Sequence, residues 1–292
     1  MPRKPVKPKP IALSPVGIVG LDGGQDALST GIARRLQRGG LSVVTYAPAP
    51  VSANLSRLAD ESGITLCESL REMASLISVP RIVWLTLPAG LATRLAMDAL
   101  QPVLAAGDII VNTADGHFND ALQYAAILAR QGIHHVDAGI ADGGGGFYTI
   151  MLGGDVVAVD KLGAMLTILA AADGKGWLHC GDSGAGHFVR MAQGLMERSM
   201  MQSFSQGVEF FGNWQGAAQM NPAALGKVWQ HGNEVSNELQ QLAEAYLAQS
   251  TEQAGNPTPA TTLARSLSFA ASGAKMYMQG LEVLLKQRGA GQ

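Results

Sequence analysis

Between Val16 and about Gly181 the chain repeats one alternation. A short run of aliphatic residues is followed by a longer stretch with apolar positions three and four apart. Val16–Leu21, Leu41–Tyr46, Ile82–Leu87, Asp108–Asn112, His134–Ala138 and Thr149–Leu152 are short, apolar and rich in Val and Ile, and they predict strands. Ala27–Gln37, Ser69–Ser78, Leu91–Leu104, Asn119–Gln131 and Val156–Ala172 carry helical periodicity between them. Repeated alternation of this kind predicts an α/β fold, a doubly wound and mostly parallel sheet with helices on both faces. Beyond Gly181 the strand pattern stops. One long helix is expected from about Ala185 to Phe211, then Pro222–Gln249 and Thr261–Arg288, with Ser250–Ala260 and its two prolines as the loop between the last two. The expected division is therefore a tail over 1–14, an α/β domain over 15–181 and an all-helical C-terminal domain over 182–292.

The tail combines Arg3, Lys4, Lys7 and Lys9 with four prolines and no acid in its first ten residues, which predicts a solvated extended arm. A docking arm for an acidic partner is the other reading. The tail lacks the apolar core of a signal peptide, and nowhere does an apolar run approach the roughly 20 residues of a membrane span. Across the 292 residues, 47% are hydrophobic and 15% charged, and the formal net charge is −2. That balance describes a soluble globular protein and gives no support to nucleic-acid or membrane-surface binding. Cys67 and Cys180 stand far apart with no metal-ligand spacing, so a disulfide-free, cytoplasmic protein is expected. His179 and His187 flank Cys180 without completing a metal set, and no metal is expected. His134 and His135 sit at a strand start and point to opposite faces.

The first candidate site follows the first strand. A dinucleotide loop there needs three glycines, for a tight turn, for pyrophosphate approach and for helix packing. The chain offers Gly20-Leu21-Asp22-Gly23-Gly24-Gln25, with only the first glycine in place. Asp22 would put a carboxylate where helix amides otherwise receive phosphate. Two like charges about 4 Å apart at an effective dielectric of about 20 repel by roughly 4 kcal/mol. Asp22 can also cap the helix and occupy the same donors. After the second strand, Tyr46-Ala47-Pro48-Ala49-Pro50 supplies neither an acid for ribose hydroxyls nor an arginine for a 2′-phosphate.

The segment Gly184-Ala-Gly-His-Phe-Val-Arg-Met-Ala-Gln-Gly-Leu-Met-Glu-Arg198 resembles the signature helix of the 6-phosphogluconate dehydrogenase family, Gly-(Ala/Ser)-Gly-His-Phe-Val-Lys-Met-Val-His-Asn-Gly-Ile-Glu-Tyr. Gly17–Gly24 is similar to the family's cofactor loop, and Val83-Trp84-Leu85 with Pro88-Ala89-Gly90 to its Val-Trp-Leu-Met-Val-Pro-Ala-Gly. The resemblance covers residues 16 to about 245 and implies a Rossmann-like cofactor domain, a helical dimerisation domain and oxidation of a sugar acid with NADP or NAD. It implies cofactor contacts at Gly17, Gly20, Asp22, Gly23, Gly24, Pro88, Ala89 and Gly90. It implies a substrate-type pocket at Asp115, Ala141, Asp142, Gly143, His187, Gln193, Gly194 and Arg198.

The departures fall on these positions. Asp115 stands at the family's asparagine, Ala141 at its substrate serine, Gln193 at its histidine and Gly194 at its second asparagine. Arg190 occupies the position of the lysine that accepts the hydroxyl proton. A guanidinium gives up its proton only above about pH 12, so Arg190 binds anions but is no base at neutral pH. Glu197 matches the family's acid, seven residues or two turns along the same helical face. Arg190 and Glu197 can equally pair with each other.

Two functions follow. In the first, the chain has lost NAD(P) binding and dehydrogenase activity and acts as a homodimeric pseudoenzyme that binds a small anionic ligand or a protein partner, with no cofactor. In the second, it is an active NAD(P)-dependent oxidoreductase on an altered hydroxy acid, using a shifted Gly23-Gly24 loop.

Overall fold

The computed structural model describes residues 14–21, 28–142, 147–170 and 176–212. The strands are β1 (Val16–Val19), β2 (Val43–Tyr46), β3 (Thr65–Cys67), β4 (Ile82–Leu85), β5 (Ile109–Asn112), β6 (His134–Asp142), β7 (Tyr148–Gly154) and β8 (Trp177–Gly181). Between them run α1 (Leu28–Arg38), α2 (Ala53–Ser62), α3 (Leu70–Ser75), α4 (Leu91–Leu100), α5 (Phe118–Ala129), α6 (Val156–Lys161) and α7 (Gly163–Leu169), and α8 (Ala185–Gly212) follows β8. The strands form one eight-stranded sheet in the order β3-β2-β1-β4-β5-β6-β7-β8. All neighbours are parallel except β6 and β7.

Strand alternation sorts the core into two layers. Val16 and Ile18 of β1, Trp84 of β4 and Ile109 and Val111 of β5 face one way, onto Ile32 and Leu36 of α1 and Leu166 and Leu169 of α7. Val19, Val83, Leu85 and Ile110 face the other way, onto Met73, Met97, Leu100 and Leu128 of α3, α4 and α5. Because both faces are covered, the central strands carry apolar residues at nearly every position. The doubly wound α/β expectation is met.

The elements differ from the sequence pattern in five places. The sequence pattern predicts neither β3 nor α2; the three residues of β3 are too few for an alternation to show. β8 is an edge strand whose five residues are all only partly buried, so it carries little apolar signal. β7 is antiparallel because the connection from Asp142 to Tyr148 is too short for the crossover that a parallel neighbour needs. The single helix expected over 156–172 is two, α6 and α7, broken where Gly163 follows Leu162.

By its internal contacts the chain divides into two compact units, Met1–Phe188 and Val189–Gln292, seven residues later than the sequence pattern suggests. The expected helices after residue 212, the N-terminal tail, Asp22–Gly24 and Gly143 lie outside the described residues. Among the described residues, no helix is long and apolar enough to cross a membrane.

Candidate functional site

In the first unit the candidate residues gather where the parallel strands end. Gly20 leaves β1 with a φ of 98°, the left-handed region that favours glycine, and a Cβ there would lie 2.8 Å from the Leu87 side chain. Thr86 closes the turn from the neighbouring strand: its N–H donates to the Val19 carbonyl at 2.9 Å and its hydroxyl to the same oxygen at 3.2 Å. The Pro88-Ala89-Gly90 corner is held by the Thr93 hydroxyl, which donates to the Pro88 carbonyl at 2.8 Å, and Gly90 starts α4 with a φ of 95°. The next loop lies alongside, since a Cβ on Gly116 would be 3.6 Å from that of Ala89.

Gly17, an expected cofactor contact, and Ala47, at the position where an acid or arginine is missing, both lie within the packed sheet. Gly17 is inside β1, and a Cβ on it would meet Ile77 at 2.8 Å and Val83 at 3.3 Å. Close packing against Ile77, Val83 and Met73 leaves no room there for a side chain. Ala47 is buried in the apolar core, with its N–H donating to the Cys67 carbonyl at 2.8 Å. The end of β2 is thus closed by backbone pairing, and the residues after Tyr46 offer a ribose no polar side chain until Ser52, which caps α2.

Three hydrogen bonds hold the start of the loop after β5. The Thr113 N–H and hydroxyl both donate to the Leu85 carbonyl, at 2.9 Å and 2.8 Å, and the Ala114 N–H donates to Asn112 Oδ1 at 3.1 Å. This leaves Asp115 exposed at the loop tip. Ala141 is partly buried near the end of β6 and its backbone pairs with Thr149, while Asp142 ends the same strand.

Sequence reasoning missed Asp137 and Asn112 as organising residues. Asp137 is fully buried in β6, directly beside Asn112 of β5, and accepts from the backbone N–H groups of Gly184 at 2.6 Å and His187 at 2.9 Å. The available signal was a carboxylate inside an apolar strand run, which must be paired if it is buried. His187 is buried with Nε2 3.2 Å from the Asn112 carbonyl. Burial lowers its pKa, against the opposing pull of Asp137, the Asn112 hydrogen bond and Asp115 and Asp120. His135, fully enclosed two residues before Asp137, is pushed down to about 4 by burial, with Asp137 opposing and His187 adding. His179 contacts the Gly154 carbonyl at 2.8 Å, and burial pushes the Cys180 thiol up to about 12. Among the described residues no three His, Cys, Asp or Glu side chains converge as a metal site.

In the second unit, Arg190, Gln193, Gly194, Glu197 and Arg198 lie at helical spacing on α8. Arg190 Nη1 stands 3.4 Å from Glu197 Oε2, so the residues at the expected base and acid positions form an ion pair. Gln193 and Gly194 are buried and Arg198 is exposed. A Cβ at Gly194 would lie 3.4 Å from Arg190 Nη1 and 3.6 Å from Arg198 Nη1, so both guanidinium groups border the space left by the missing side chain.

A doubly wound parallel sheet with a glycine turn after β1 and loops clustered at the ends of β4 and β5 is the architecture of a nucleotide-dependent dehydrogenase domain. The description of the NAD binding domain of 6-phosphogluconate dehydrogenase matches residues 18–181, more than half of the chain. This protein belongs to the 6-phosphogluconate dehydrogenase family.

Bacillus subtilis YqeC is 30% identical over 183 residues, 62% of this chain and 60% of that protein. The NAD(+)-dependent, decarboxylating 6-phosphogluconate dehydrogenase of Haloferax volcanii is 27% identical over 233 residues, 78% of this chain and 73% of that one. The chain covers only 41% of the Treponema pallidum enzyme. Plasmodium falciparum 6-phosphogluconate dehydrogenase superposes with a TM-score of 0.63 at 15% identity, over 94% of this chain and 63% of that one. That likeness and the Salmonella typhimurium 3-hydroxyisobutyrate dehydrogenase, at TM-score 0.59 and 19% identity over 89% of this chain and 95% of that one, share the fold.

Proposed function

We propose that this protein is a family member that binds a small anion and does not oxidise a sugar acid. The observation that carries this reading is the Arg190–Glu197 ion pair at 3.4 Å. Proton abstraction from a hydroxyl needs a group that is unprotonated before the step, and a guanidinium stays protonated. Driving an arginine to neutrality near pH 7 would cost roughly 7 kcal/mol. Glu197 paired to that cation has no base to complement it. What a guanidinium does well is hold a carboxylate or phosphate through paired N–H donors, and Arg198 adds a second one beside Gly194. The closed, apolar end of β2 supports loss of the cofactor's ribose contacts, and Asp22 in the loop sequence supports loss of its phosphate contacts.

The test is calorimetric titration with NAD+, NADP+, NADH and NADPH. No binding tighter than millimolar is expected, whereas micromolar affinity for any of them would overturn the reading. A second reading, an oxidoreductase with a rearranged cofactor loop, is favoured by one observation: the left-handed turn at Gly20 is intact. Micromolar cofactor affinity in the same titration would establish it. The proposed assembly is a homodimer in the cytoplasm, built through the helical half. Sedimentation equilibrium is expected to return twice the chain mass, and a monomer at micromolar concentration would contradict it.

A further inference from the structure

The first turn of α8 packs against β5, β6 and β7, and one side chain of β6 holds two of the amides at its start. Asp137 gives one carboxylate oxygen to each of two amides, Oδ1 to Gly184 and Oδ2 to His187. A helix N-terminus presents unpaired N–H groups and partial positive charge, so a buried carboxylate is stabilised there. The seat is cut to backbone dimensions. A Cβ on Gly153 would lie 2.6 Å from Asp137 Oδ1, and one on Gly186 would lie 2.5 Å from the carbonyl oxygens of Asp137 and Met151.

His187, whose backbone is fixed to β6 in this way, turns its ring to β5. Its Nε2 is 3.2 Å from the Asn112 carbonyl, and a carbonyl only accepts, so Nε2 carries the proton. Asn112 passes the constraint on: its Oδ1 accepts from Ala114, two residues along the loop that ends at Asp115.

We propose that His187 is a positioning residue, a neutral Nε2–H imidazole that fixes the Asn112 peptide and, through it, the loop 112–116. The groups facing it are Asp137 and His135 from β6, Asp115 from the loop and Asp120 from α5. Tyr124 of α5 packs against the His135 ring, centroids 5.9 Å apart. Neither nitrogen of His135 has a hydrogen-bond partner among the described residues. Burial keeps the His135 imidazole uncharged at neutral pH.

Two measurements test it. In the full-length protein, 15N spectra of labelled histidine at pH 7.5 are expected to show His187 as the Nε2–H tautomer. Amide hydrogen exchange is then compared in His187→Ala and His187→Gln. The alanine variant is expected to speed exchange at Ala114 by about tenfold or more, with β1 and β2 unchanged. Glutamine, whose amide can donate to the same carbonyl, is expected to restore protection. An Nδ1–H tautomer overturns the proposal outright, and it is read on the unaltered protein, so it stands even if the alanine variant does not fold. Unchanged exchange at Ala114 in His187→Ala, or equal loss in both variants, overturns it as well.

Discussion

Single side chains here are decided by whether a charge is buried with its partners. Asp108 is fully buried and accepts from the Arg81 N–H at 2.7 Å, the Ala105 N–H at 2.9 Å and Arg81 Nη1 at 3.0 Å. It ties the loop before β5 to the start of β4. Removing one member of such a set leaves the others unpaired, so Asp108→Ala is expected to cost about 3 kcal/mol in urea denaturation. The Arg190–Glu197 pair differs. Both side chains keep partial exposure, 22% and 26%, and pairs of this kind contribute at most about 1 kcal/mol. Glu197→Gln is therefore expected to change stability by less than about 1 kcal/mol. If the anion reading is right, the same variant removes a competitor for Arg190 and tightens binding of inorganic phosphate severalfold by calorimetry. Unchanged or weaker phosphate binding in Glu197→Gln would count against Arg190 as the anion contact.

Elements were legible in the sequence in proportion to how much of them is buried. β1, β4 and β5 show near-continuous apolar runs because helices cover both faces, and each was readable from Val, Ile and Leu alone. β8 failed to show because it is a partly buried edge, and the antiparallel turn of β7 follows from loop length, which a strand pattern does not carry. The site divides in the same way. The Gly20 turn and the Pro88–Gly90 corner were readable because a turn demands particular residue types, whereas the Asp137–His187–Asn112 junction joins β5, β6 and α8 across 75 residues and leaves no local pattern.

That junction also predicts a pH dependence. The pKa of His135 falls from an ordinary value of 6.5 to about 4 on folding, because burial disfavours its charged form. Between those two values the unfolded chain binds the extra proton and the folded one does not. Stability is therefore fully present above about pH 6.5 and is lost as pH falls toward 4. Each unit of pKa difference corresponds to about 1.4 kcal/mol. His135→Phe removes the titrating group, so its stability is expected to fall less between pH 7 and pH 5 than that of the unaltered protein. An equal fall, measured by urea denaturation at both pH values, would assign the acid sensitivity to other groups.

On the scale of the whole molecule, the fold of a dehydrogenase is retained while positions serving separate steps of its reaction have changed. On the proposed reading, arginine at 190 removes proton abstraction and the residues at Asp22, Gln25 and Ala47 remove hydride transfer; neither change entails the other. Their order of importance for the cofactor is measurable. Asp22 and Gln25 lie outside the described residues, and of the two only Asp22 carries a charge. A carboxylate near the pyrophosphate costs about 4 kcal/mol at a separation of about 4 Å, and this is about a thousandfold in affinity. Ala47 forfeits only the ribose hydrogen bonds, worth about 1.5–3 kcal/mol when the acceptor is charged. The double variant Asp22→Gly, Gln25→Gly is therefore expected to bring NAD+ or NADP+ from no detectable binding into the measurable millimolar range or below. Adding Ala47→Asp is expected to favour NAD+ over NADP+, because a carboxylate accepts from ribose hydroxyls and repels a 2′-phosphate. If the double variant gains nothing while Ala47→Asp alone does, the buried end of β2 is the principal block, and the charge in the loop is a capping residue of α1.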